Sequence, residues 1–215
     1  MSRYIFISIV LCLLVLTSAG AMEEGGMIKL PAPEMTGGKP LMQALQERHS
    51  TREFSSKALS RQVLSNLLWA AAGVNRPASG KRTAPSARDW REIDIYVTLP
   101  EAVYRYDAYT HGLMLVHKED LRAATGVQDF VAQAPLNLVY VADLSRMTGA
   151  DVEQKNFYAA ADTGFIAENV YLFCASAGLA TVVRGSVERD ALAAKLGLGK
   201  QQRIILAQTL GYPAR

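Results

Sequence analysis

Long blocks of like charge, low-complexity runs and internal repeats are all missing from this 215-residue chain. Its 23 basic and 20 acidic residues are too evenly matched and too scattered to form a nucleic-acid footprint. Cysteine is nearly missing as well, with Cys12 and Cys174 alone. Cys12 falls in a segment expected to be removed, so the remaining chain cannot close an internal disulfide. The common hydrolytic signatures G-x-S-x-G and H-E-x-x-H are not there, nor is a P-loop or the G-x-G-x-x-G dinucleotide fingerprint. The three histidines, His49, His111 and His117, lack the spacing of metal ligands, and no metal site is expected.

What is present begins with a tripartite leader. Arg3 supplies positive charge, residues 4–16 form an apolar run, and Ala19, Gly20 and Ala21 fit a small-x-small cleavage site. The run is too short for the roughly 20 residues of a spanning helix. Residues 1–21 are therefore expected to be a signal peptide, with Met22 the first residue of an exported, periplasmic or secreted protein that keeps no membrane span. Residues 22–40, with three prolines and four glycines, read as an extended leader on the surface. Residues 41–215 are long enough for one domain with a substantial core.

Within that domain the periodicities alternate between helix and strand. Leu41, Met42 and Leu45 share a helical face that ends near Arg48. Ser60 fits the N-cap of a second helix, whose stripe is Val63, Leu64, Leu67, Leu68 and Ala71 and whose stop is Gly73. Residues 93–99 alternate as a strand, two short strands follow around a turn at 109–112, and LNLVYVAD after Pro135 reads as a central strand covered on both faces. The longest helix, about 153–177, has so wide an apolar surface that it must be buried in the core or against a second subunit. A strand after Gly178, a helix capped by Ser186 and a last strand over RIILAQTL complete the pattern. One interleaved sheet makes the class α/β or α+β.

The stretch RHSTREF, residues 48–54, stands out chemically. Arg48, Ser50 and Arg52 alternate, so in an extended segment they project to one side. Two guanidiniums and a hydroxyl together suit a phosphate, which arginine grips in a bidentate way. A solvated loop with helix-terminal charges would read the same on spacing alone.

Five stretches in order carry a family resemblance. RHSTREF resembles the flavin-binding opening of the nitroreductase family, and LLWAAAGVNR followed by KRTAPSARDWREIDIYV is similar to its helix, loop and Pro-Ser-Ala segment in the branch of SagB-like dehydrogenases. DTGFIAENVYLFCASAGLATVVRG and LGYP resemble its long central helix and last strands. The resemblance implies an α+β fold with a mainly antiparallel sheet flanked by helices, in an interleaved homodimer with two FMN sites built from both chains. It implies that Arg48, His49, Ser50 and Arg52 hold the phosphate, ribityl chain and pyrimidine end, and that Pro85, Ser86 and Ala87 line the ring. Val183, Arg184 and Gly185 would offer backbone groups near N5, and Arg215 would reach the phosphate.

The activity so implied is hydride transfer through flavin N5 to or from a small molecule or peptide, with NAD(P)H a candidate donor. No side-chain acid or base is assigned. A secreted flavin-binding protein without turnover is the alternative. Departures from the family pattern are Asp89 and Arg91, where many relatives place an amide after Pro-Ser, and Glu168, where the central helix often carries glutamine.

Overall fold

The computed structural model describes residues 26–214. The expected signal peptide, the first residues of the leader and Arg215 lie outside the described residues.

A seven-stranded sheet organises the chain. Its strands are β1 (Met27–Lys29), β4 (Ile93–Thr98), β5 (Val103–Asp107), β6 (Gly112–His117), β7 (Leu136–Asp143), β8 (Ala180–Arg184) and β9 (Gln202–Gly211). They run in the order β1-β6-β5-β4-β7-β9-β8, and each neighbouring pair is antiparallel. A separate two-stranded hairpin joins β2 (Val74–Arg76) to β3 (Lys81–Arg82). The helices are α1 (Leu41–Glu47), α2 (Arg61–Ala72), α3 (Phe130–Gln133), α4 (Val152–Ala177) and α5 (Arg189–Leu196).

β7 sits at the centre, and its first seven residues are buried on both faces, as its unbroken apolar run requires. α4 covers one face of the sheet. Asp151 starts it with a capping box: its carboxylate accepts the Gln154 amide at 2.8 Å while Gln154 Oε1 accepts the Asp151 amide at 3.3 Å. Gly178 ends it in the left-handed region at φ 69°, where a side chain would be strained. Between them Ala159, Thr163, Ile166, Val170 and Cys174 form the buried stripe at helical spacing. α2 packs beside α4, capped by Ser60, whose hydroxyl accepts the Val63 amide at 3.2 Å.

Two expectations are corrected, and one helix shows a face that the chain leaves open. The leader does more than lie on the surface, because β1 pairs with β6 as an edge strand and Leu30 is buried. Ser186 does not cap α5; the cap position is Glu188, after a turn in which the Val187 amide bonds the Gly185 carbonyl. The apolar face of α1 is uncovered in the single chain, with Leu41 63% and Met42 75% exposed.

Arg184 is a structural centre on β8. Its side chain is buried, donating from Nε to Thr209 Oγ1 at 2.9 Å, from Nη1 to the Thr125 carbonyl at 2.7 Å and from Nη2 to Asn137 Oδ1 at 3.2 Å. Burial pushes its pKa down to about 10. The guanidinium fits because Gly126 offers no Cβ, which would overlap Arg184 Nη1. Since Gly126 is extended, close approach rather than turn geometry selects glycine here.

Replacing Arg184 by leucine strands dry acceptors on Thr125 and Asn137 and is expected to cost about 2–4 kcal/mol of unfolding free energy. Gly126→Ala disturbs the same network, so in urea denaturation the double variant should lose clearly less than the sum of the two single losses.

Candidate functional site

Two clusters of the sequence-picked residues flank α4. The first is built on residues 48–54, which leave α1 extended and lie along the open edge of β8. The Thr51 amide donates to the Thr181 carbonyl at 2.9 Å, the Ser55 amide to the Tyr212 carbonyl at 2.9 Å, and Phe54 bridges Pro213. Alternation then turns neighbouring side chains outward. Ser50 Oγ lies 2.8 Å from Tyr171 Oη, which accepts the Val183 amide at 2.9 Å. The Arg48 guanidinium stacks 5.1 Å from the centre of the Tyr171 ring. Arg52 is exposed, and among the described residues neither arginine has a carboxylate partner. His49 is exposed and its Nδ1 is 2.7 Å from the Glu47 carbonyl.

β8 presents its outward backbone groups to this cluster at every second residue, Thr181 and Val183. The Val183 amide is already used by Tyr171, and the Arg184 side chain faces inward. Exposed Gly185 is next in the alternation and offers the backbone on the open side.

The second cluster surrounds Pro85, Ser86 and Ala87. The Ala87 amide donates to Asp162 Oδ2 at 2.8 Å, tying the segment to α4. Ser86 Oγ accepts the Arg91 amide at 2.8 Å and donates to Glu92 Oε2 at 3.2 Å. Arg91 grips Asp89 in a fork at 2.8 and 2.6 Å, which holds the Asp89 carboxyl below its ordinary range. Arg88, Asp89 and Arg91 all have positive φ, 49°, 57° and 52°, a concentration of backbone strain in one short loop. Glu92 is completely buried and Asp162 is 2% exposed. Burial first, with the neighbouring Asp162 charge adding to it, pushes the Glu92 carboxyl up to about 7. A cavity of about 340 Å³ opens here, floored by Glu92, Asp162 and Ile166 and rimmed by the β2–β3 hairpin.

The two clusters do not meet within one chain. Asp162 and Tyr171 lie nine residues apart on α4, which puts them about 13 Å apart along its axis and about 180° around it. Between them the outward face of α4 shows Phe157, 67% exposed, Phe165, 49% exposed, and Glu168.

Residues 45–212 match the family model for the nitroreductase family. The chain belongs to that family. A crystal structure of a nitroreductase-type protein from Ralstonia eutropha is 48% identical, with a TM-score of 0.85 over 91% of this chain and 93% of that one. A nitroreductase-type protein of Methanocaldococcus jannaschii is 33% identical over 172 residues, 75% of this chain and 86% of its own. The NADPH:FMN oxidoreductase of Vibrio harveyi, solved with NAD+, shares the fold at 19% identity, with a TM-score of 0.63 over 81% of this chain and 69% of that one. Membership in this family implies flavin-dependent oxidoreduction as the general chemistry.

Sequence reasoning overlooked Tyr171, Asp162 and Glu92. Asp162 had a signal, being an acid at a stripe position of an otherwise apolar helix face; Tyr171 passed as apolar stripe.

The Glu92 carboxyl gives a pH-dependent stability. Its folded pKa lies above the ordinary 4.5, so between about 4.5 and about 7 the unfolded chain ionises while the folded chain stays protonated. Glu92 therefore favours the fold least above that window, and its share of stability falls by roughly 3 kcal/mol as pH rises through it. In thermal melts across this range, Glu92→Gln should flatten the decline; an unchanged slope would place the titration elsewhere.

Proposed function

We propose that this protein is an FMN-dependent oxidoreductase of the SagB-like branch, exported after cleavage behind Ala21, and active as a homodimer. The observation that carries the flavin reading is the first cluster: two arginines without carboxylate partners among the described residues, on a segment pinned along β8. FMN, when bound, supplies hydride exchange at N5 with an organic substrate or with NAD(P)H.

The chain's own residues then have distinct tasks. Arg48, fixed over the Tyr171 ring at the exit of α1, binds the phosphate, with Arg215 following Ala214, whose amide bonds the Glu53 carbonyl at 3.3 Å. Ser50, oriented by Tyr171, and His49 serve the ribityl chain. Arg52 puts positive charge at the pyrimidine end, favouring the anionic reduced ring over the neutral oxidised one. The Gly185 amide, free of the Tyr171 bond that engages Val183, is the donor toward N5. Pro85, Ser86 and Ala87 line the ring from the second cluster.

Dimerisation follows from the separation of the clusters. A partner packed on the outward face of α4 would cover Phe157, Phe165, Leu41 and Met42 and set one chain's arginine segment against the other's Pro-Ser-Ala loop. Apolar side chains of this size are costly to leave in water together. On this reading Phe165→Glu yields a monomer in sedimentation and loses FMN in the same step. A monomer that keeps FMN at wild-type affinity would refute the shared site.

The phosphate assignment is tested by titration. Arg48→Ala should weaken FMN about tenfold to a hundredfold, the loss of one charge-assisted contact, and leave riboflavin, which has no phosphate, nearly unchanged. Arg52→Ala should affect oxidised FMN less and lower the reduction potential of the bound flavin. Equal weakening of FMN and riboflavin by Arg48→Ala would overturn the assignment.

A further inference from the structure

The cavity of the second cluster contains two polar atoms that the fold leaves without partners. Among the described residues, Glu92 Oε1 and Arg82 Nε are buried without a hydrogen bond, and both residues line this cavity. A native interior seldom leaves such atoms orphaned, since each forfeits about 1–3 kcal/mol. Two in one ligand-sized cavity mark a place where something binds.

Charge indicates what binds. The β2–β3 hairpin brings Arg76, Lys81 and Arg82 to the rim, and none of them has a carboxylate partner among the described residues. Arg76 is turned to Asn75 Oδ1 at 3.0 Å and the Arg82 carbonyl at 2.8 Å, while the Arg82 guanidinium stacks 5.5 Å from the centre of the Tyr109 ring. Arg91 is neutralised by Asp89. On the floor, Asp162 is committed to the Ala87 amide. Glu92 Oε2 accepts from Ser86, which leaves Oε1 to carry the Glu92 proton between Asp162 and the cavity. Three rim cations, over a floor on which Glu92 holds its proton up to about pH 7, leave the cavity positive.

We infer that this cavity is the substrate subsite and that it takes a small organic carboxylate, held by Lys81 and Arg82 at the rim and by the Glu92 acid proton at the floor. The word substrate rests on the flavin reading above; the binding of a carboxylate does not. Glu92 faces Asp162 from α4, the Ser86 hydroxyl from its own loop and Arg146 from beyond β7. Of these, Asp162 holds the proton on. As Glu92 ionises near pH 7, its proton is lost and a second negative charge appears beneath the ligand, so carboxylate binding weakens with rising pH.

Calorimetry with benzoate, benzamide and inorganic phosphate on the purified protein tests this, in parallel with FMN titration of the same samples. Benzoate should bind at least about tenfold more tightly than benzamide, and its affinity should fall about tenfold between about pH 6 and about pH 8. Arg82→Gln should weaken benzoate about tenfold or more, and Lys81→Ala, at an exposed position, should weaken it without touching the fold. Glu92→Gln, which keeps a donor but cannot ionise, should retain binding at the higher pH. FMN affinity should be unchanged in Lys81→Ala. No benzoate binding, equal binding of benzamide, phosphate binding as tightly as benzoate, or indifference to both rim variants would each overturn the inference while FMN binding stood. Failure of FMN to bind alongside intact benzoate binding would instead fault the flavin reading.

Discussion

The constraint on which this structure turns is that α4 can bury only part of its circumference. The sheet takes one stripe, from Ala159 through Ile166 and Val170 to Cys174, and the polar groups at the borders of that stripe must find partners at once. Asp162 on one border captures the Ala87 amide; Tyr171 on the other captures Ser50 and the Val183 amide. Each candidate segment is thus fastened to the same rigid rod by a hydrogen bond at the edge of the core. Their spacing is set by helical geometry, and no flexible connection intervenes.

Much of this architecture was legible because it is written in periodicity. The unbroken apolar run of β7, the stripe of α2 with Ser60 before it and the length of α4 all follow from burial on one side or two. The hairpin β2–β3 escaped notice because its strands are short and polar and contribute nothing to the core. β1 escaped for a related reason, since an edge strand needs backbone pairing more than a side-chain pattern, and prolines and glycines nearby suggested a loop. Ser186 looked like a cap by residue type, yet the turn at Gly185 delays the helix by two residues.

The candidate segments were legible in kind more than in arrangement. Arg48, Ser50 and Arg52 announced themselves by alternation and charge. What a linear pattern could not contain is direction: Arg184 is a buried cross-brace reaching Thr125, Asn137 and Thr209, and Glu92 holds its proton up to about pH 7 through its burial and its nearness to Asp162, 70 positions along the chain. Pairings of that range depend on the folded sheet.

The segment at residues 48–54 has a second consequence through its place beside β8. A terminal strand normally leaves unpaired amides and carbonyls that invite strands from other molecules to add on. Here the Thr181 carbonyl is taken by the Thr51 amide and the Val183 amide by the Tyr171 hydroxyl, so the edge is closed without another strand. The same stretch that presents the arginines therefore also shields the β8 edge from runaway self-assembly, a protection that matters most while the chain is newly folded and crowded among its copies.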